Sequence, residues 1–183
     1  AQGVLVPGQN VVVRGGRIVQ VGDTLAVSVP EGAEVVDGRG KFLIPGLWDM
    51  HVHALFNGEV ARSFLPAFVA HGVTGVRDMG GKLDVLRAAR WAVLAGTLVG
   101  PRIVAAGVIL DGPQPVDSAV SFAVGTPDAG RAAVDSLARA GVDFIKVYTL
   151  LPRDAYFAVL REAARLHLPV AGHVPAGVTT LEA

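Results

Sequence analysis

Apolar residues follow two rhythms along this chain. Up to Ile44 they fall in short clusters broken by glycine and charge, and after Pro45 in strand-length runs alternating with amphipathic stretches. Residues 11–14 and 17–21 flank Gly15-Gly16, a dipeptide that tolerates the positive φ of a two-residue turn, so a hairpin is predicted. Val35-Val36, the turn Asp37-Gly38 and an apolar strand over 41–44 extend the β-like pattern that begins at Gly3. The expectation is a small β-sandwich-like domain over residues 1–45, with three or four strands and too few residues to close by itself.

Beyond Pro45 strands and helices alternate. Strands are predicted over 47–53, 73–78, 103–106, 142–148 and 168–173, and helices over 59–70, 83–95, 126–140 and 152–166. His71-Gly72, Thr126-Pro127 and Ala140-Gly141 carry stop and start signals at the helix ends. A Gly-, Pro- and Asp-rich loop over 107–125 is long enough to shape a pocket. Repeated strand and helix implies right-handed crossovers and a parallel sheet. The fold expected for residues 46–183 is α/β, a parallel (β/α) TIM-type barrel left incomplete at about five of its eight strands. Thr179 and Glu182 have capping-box spacing at a helix start just before Ala183, which suggests the front part of a longer protein.

Composition narrows the chemistry. Of 183 residues 51% are hydrophobic and 17% charged, with Lys+Arg and Asp+Glu balanced at 16 each. Without a basic cluster, nucleic acid is not an expected partner, and a small molecule fits better. No apolar run reaches the roughly 20 residues of a membrane span. The absence of cysteine excludes thiolate sites, so any metal must be held by nitrogen and oxygen. A chain opening on Ala1 without a charged-then-apolar leader is compatible with cytoplasmic residence and with export after removal of a signal peptide.

His51 and His53 close the first barrel strand and, one residue apart, project from the same face, where they can share one metal ion. Lys146 and Tyr148 end the fourth strand and His173 the fifth. In a parallel barrel the chemistry sits at these C-terminal ends, so the five residues are expected at one site. By residue type alone Lys146 is open to two readings. Its stem packs on the barrel while its ammonium reaches solvent, or it is a neutral amine that takes up carbon dioxide as a carbamate able to bridge two metals. Tyr148 shares its face and could hydrogen-bond a substrate carbonyl or carboxylate, or be a core tyrosine satisfied locally. Arg77 and Asp78 end the second strand; they could contact substrate, but a structural ion pair between them is the favoured expectation. His71 and His167 read as solvated residues at helix ends.

Residues 42–53 (FLIPGLWDMHVH), 72–78 (GVTGVRD), 100–102 (GPR), 145–148 (IKVY) and 172–175 (GHVP) together resemble the metal-dependent amidohydrolases, in particular imidazolonepropionases and Xaa-Pro-type dipeptidases. The resemblance implies that His51 and His53 bind a first metal, that carbamylated Lys146 bridges, and that His173 binds a second. It further implies a His from a sixth strand, a proton-shuttling Asp from an eighth, and C-terminal strands that complete the small β domain. Zinc is the expected ion, one or two per site, with Mn2+ or Fe2+ also fitting. The expected reaction is hydrolysis of an amide, cyclic amide or dipeptide C–N bond by metal-bound hydroxide, with Lys146 and Tyr148 catalytic, Tyr148 and Arg77 contacting substrate, and little activity from this stretch alone. The alternatives are a non-catalytic scaffold that needs a complementary chain to fold and a metal-free sugar or phosphate binder. An unpaired barrel edge also leaves room for a homo-oligomer.

Overall fold

The computed structural model describes residues 4–183, so Gly3 lies outside the described residues. The chain divides into two compact units between Ile44 and Pro45. In the first, β1 (Gln9–Arg14) and β2 (Arg17–Asp23) form the expected antiparallel hairpin, closed by Arg14 opposite Arg17. Gly15 and Gly16 have φ of 57° and 72°, values that an L side chain adopts only at a cost. Asn10 Nδ2 donates to the Val27 carbonyl at 3.0 Å and ties the following turn to the hairpin.

The expected third and fourth strands are not formed. Val35-Val36 and residues 41–44 lie outside any strand, and Phe42 and Leu43 are exposed. A strand is defined by the backbone it pairs with, and these segments have no such partner among the described residues. Apolar composition alone supplies none.

The second unit runs β3 (Leu47–Val52), α1 (Gly58–Ala70), β4 (Val73–Asp78), α2 (Leu83–Leu94), β5 (Arg102–Ala105), β6 (Ile109–Asp111), β7 (Ser121–Ala123), α3 (Pro127–Ala140), β8 (Ile145–Val147), α4 (Arg153–Arg165) and β9 (Val170–Gly172). All of its strand pairs are parallel, in the orders β3-β4-β5 and β7-β6-β8-β9. The predicted third strand, 103–106, forms β5, and after a break β6 forms within the stretch expected to be loop. β5 pairs with β4, and β6 pairs with β8. Asp143 bridges the break: its N–H donates to the Ala105 carbonyl at 3.0 Å, and its carboxylate accepts the Ala105 N–H at 2.7 Å and pairs with Arg90. The result is five staves of a parallel (β/α) barrel, open at β3 and β9, with β7 as an extra short strand inside the stretch expected to be loop.

The helices start and stop where their end residues dictate. Asn57, not singled out in the sequence, caps α1 by accepting the N–H groups of Glu59 and Val60 at 3.0 and 2.9 Å. Thr126 caps α3 through the Ala129 N–H, Pro127 opens it, and Gly141 at φ 79° ends it. Leu110, Val134, Leu137, Ile145 and Val159 fill one fully buried core between sheet and helices, and Leu65 and Val76 anchor a second. The Thr179 and Glu182 capping pair is present, with the Thr179 N–H donating to Glu182 Oε2 at 3.0 Å.

Gly107 makes the break between β5 and β6. It has φ 67°, and a Cβ there would lie 2.6 Å from Leu83 Cδ2. Gly107→Ala should therefore lower the unfolding free energy by about 2 kcal/mol, measured by urea denaturation, from left-handed strain and overpacking together.

Candidate functional site

Parallel pairing brings the C-terminal ends of the staves to one side of the sheet, so residues far apart in sequence meet there. His51 lies in β3 and His53 just past it; Asp78 ends β4 and Asp111 ends β6; Lys146 lies in β8, with Tyr148 and Thr149 following; His173 follows β9. The rings of His51 and His53 have centroids 5.4 Å apart. Lys146 is only 2% exposed and its Nζ stands 5.4 Å from the centre of the Tyr148 ring, as alternation along the strand requires. Tyr148 in turn stacks on His173 at 4.2 Å.

Hydrogen bonds fix how the imidazoles face. His53 Nδ1 is 3.0 Å from the Gly80 carbonyl oxygen. A carbonyl only accepts, so Nδ1 carries the proton and the lone pair is on Nε2, the arrangement in which a histidine ligates a metal. His173 Nδ1 is 2.8 Å from Thr149 Oγ1. The His51 N–H donates to Asp49 Oδ1 at 3.1 Å.

Electrostatics disfavours the charged forms of Lys146, His51 and His173. Burial pushes the Lys146 amine below its ordinary range, and the positive charge of Arg77 pushes it the same way. His51 is lowered by burial first, then by Lys146, His53, Arg77 and His173. His173 is lowered by burial and by Lys146, with Asp111 opposing. Lys146 therefore acts on the β3 histidine and on His173 alike. Neutral imidazole is the ligating form, and a neutral amine is the form that reacts with carbon dioxide. The reading in which the Lys146 ammonium reaches solvent is overturned by its burial.

The expected ion pair between Arg77 and Asp78 is absent. Neighbouring residues on a strand point to opposite faces, and these two do so. Arg77 Nε donates to the Met50 carbonyl at 2.7 Å, and its guanidinium lies 5.8 Å from the Phe144 ring centre. Asp78 is fully buried and accepts the N–H groups of Ala54 at 2.7 Å, Leu55 at 3.1 Å and Gly80 at 3.2 Å. His71 bonds its own helix end, with Nδ1 2.8 Å from the Ala67 carbonyl, and His167 follows the last turn of α4.

Sequence reasoning passed over Asp111 and Thr149, and read Gly80 only as part of a turn at 79–81 that lacks the spacing of a phosphate-binding loop. Asp111 is fully buried, with Oδ1 accepting the Leu150 N–H at 2.8 Å and Oδ2 the Val116 N–H at 2.9 Å. It thereby joins the loop after β6 to the one after β8. A lone Asp followed by Gly at the end of an apolar run was its only signal. Among the described residues no three His, Asp or Glu side chains meet at one metal-sized point. The imidazoles stand as a pair at β3 and a single ring after β9, and the donor set as a whole is nitrogen-rich and free of thiolate, which suits zinc or a similar borderline ion.

Residues 42–182 match the amidohydrolase family, and the chain belongs to it. Among characterised relatives it is similar to adenine deaminase 3 of Rhizobium meliloti, 36% identical over 39% of this chain and 12% of that protein. It is also similar to the imidazolonepropionase of Anaeromyxobacter sp. (strain K), 38% identical over 44% of this chain and 20% of that one. A solved structure of a candidate prolidase from Bifidobacterium longum superposes with a TM-score of 0.73 at 29% identity, covering 91% of this chain and 44% of that one. The chain thus spans less than half of each of these proteins. Among the described residues no helix is long and apolar enough to cross a membrane.

Burial pushes the Asp78 carboxyl from an ordinary 3.8 up to about 6, against the three N–H donors and His53, which pull it down. Ionising it is harder in the fold than in the unfolded chain. In metal-free protein its contribution to stability should therefore fall as pH rises through about 6 and be recovered toward pH 4. Urea midpoints measured across that window should show the slope, and Asp78→Asn should remove it.

Proposed function

We propose that this chain carries one half of a metal centre that hydrolyses a C–N bond of a small molecule, an amide, cyclic amide or dipeptide. The observation that carries the reading is Lys146: an almost fully buried amine whose charged form burial disfavours, electrostatically in reach of both His51 and His173. The names of the similar proteins, a deaminase, an imidazolonepropionase and a prolidase, point to the same bond type.

In this reading His51, His53, His173 and a carbamylated Lys146 are the residues that would hold one or two ions. The carbamate forms when the lone pair of Nζ attacks carbon dioxide, making an N–C bond and releasing one proton, which leaves a two-oxygen anion in place of the amine. One or two divalent ions, zinc foremost, would supply a nucleophilic hydroxide at neutral pH and polarise the bond to be cleaved. The other residues bind and orient. Tyr148, fixed between Lys146 and His173, presents its hydroxyl to a substrate carbonyl or carboxylate. Arg77 has its Nε committed to Met50 and offers its terminal nitrogens to an anionic substrate group, while its charge adds to burial in disfavouring a charged Lys146. Residues 1–45 belong to a small β domain and 46–183 to the first part of the barrel, and later strands would add a further His and the Asp that manages protons. Alone, the 183-residue chain should turn over little substrate.

Native mass spectrometry tests the carbamate. The protein should carry the added mass of one carbon dioxide, lost on mild acid treatment together with bound zinc, and Lys146→Ala should lack both. A folded, zinc-loaded Lys146→Ala protein with the same metal content as wild type would contradict the assignment.

A further inference from the structure

We infer that Asp78 is a positioning residue for His53, setting through the Gly80 backbone which imidazole nitrogen faces the metal. The inference rests on the centre proposed above but on separate contacts. Asp78 Oδ2 accepts the N–H groups of Ala54 and Leu55 at 2.7 and 3.1 Å, the two residues that follow His53. Its Oδ1 accepts the Gly80 N–H at 3.2 Å, and the carbonyl of the same Gly80 takes the His53 Nδ1 proton at 3.0 Å. One buried carboxylate therefore grips both ends of a short circuit: the backbone carrying His53, and the peptide that orients its ring.

The surroundings leave this circuit little slack. The Met79 N–H donates to the Val52 carbonyl and the Lys82 N–H to the Leu55 carbonyl, both at 2.9 Å, so the turn after β4 is laced to the end of β3 on either side of Asp78. No side chain fits at Gly80 itself. A Cβ there would stand 2.6 Å from Ile109 Cδ1 and 3.4 Å from His53 Cε1. At Gly81 a Cβ would lie 2.7 Å from the Leu55 carbonyl oxygen. Two consecutive glycines permit the close approach, and Asp78 fills the space beneath with an acceptor for every N–H that points into it. Outer partners of this kind commonly change metal affinity 10–100-fold when removed.

The two arms can be separated by one substitution. In Asp78→Asn the amide oxygen can still accept from Ala54 and Leu55, but the amide NH2 then faces the Gly80 N–H, donor against donor, and that arm is lost. In the metal-free protein, ring-nitrogen NMR shifts of His53 should move from those of a pure Nδ1–H tautomer toward a mixture. Zinc titrated alone, in competition with a chelator, should bind about tenfold more weakly or worse. Asp78→Ser, smaller and neutral with one hydroxyl acceptor in the same space, should move the same resonances and serves if Asp78→Asn folds poorly. Unchanged His53 shifts in folded Asp78→Asn and Asp78→Ser would overturn the inference, as would weakened zinc binding with the tautomer unmoved. A wild-type protein that binds no zinc would instead remove the proposed centre, and the metal-free NMR comparison would still decide the role of Asp78.

Discussion

An amine buried to 2% exposure on β8, with no carboxylate paired to it among the described residues, is the constraint around which this site is organised. A protonated lysine in that position would face the desolvation penalty unrelieved, with Arg77 adding to it. Burial thus favours a neutral amine, or a product of its reaction, over the ammonium. The imidazoles of His51 and His173 are pushed below their ordinary range by burial first and then by Lys146. Nitrogen donors gathered at the C-terminal ends of parallel strands, with their charged forms disfavoured, suit the proposed divalent cation, because an imidazole ligates in its neutral form.

Buried carboxylates supply the rigidity such a cluster needs. Asp78 and Asp111 contact none of the polar side chains at the site; each spends its oxygens on backbone N–H groups of the loops that leave the strands. Asp78 ties the exit of β3 to that of β4, and Asp111 ties the exit of β6 to that of β8. Loops at the functional end of a barrel are otherwise its most mobile parts, so these anchors convert strand geometry into side-chain geometry. Asp143 does the same between the two sheets, tying the end of β5 to the chain that enters β8.

Much of this was legible in the sequence because local rules governed it. Periodicity found the strand over 73–78 and the helices ending at Gly72 and Gly141, and His51, Lys146 and His173 fell at strand ends by simple alternation. Long-range pairing governed what was not legible. Residues 41–44 have strand composition and no partner backbone, while 109–111 look like loop and become a strand because β8 lies alongside. Arg77 and Asp78 read as an ion pair when only their proximity in sequence is considered; strand alternation sends one to the Met50 carbonyl and the other into the floor of the β3 exit. Thr149 escaped notice, and Gly80 was read only as a turn residue, because a hydroxyl and a glycine carry no chemical signature until a histidine is set beside them.

The central claim is that His51, His53, Lys146 and His173 belong to one metal centre bridged through the lysine. Anomalous diffraction at the zinc edge from zinc-loaded protein measures it most directly. The account predicts one or two anomalous peaks at the C-terminal ends of β3, β8 and β9, within about 2.0–2.3 Å of imidazole nitrogens and of a carbamate oxygen on Lys146. Zinc bound elsewhere on the protein, or bound by the histidines with Lys146 an unmodified amine turned away from it, would contradict the account.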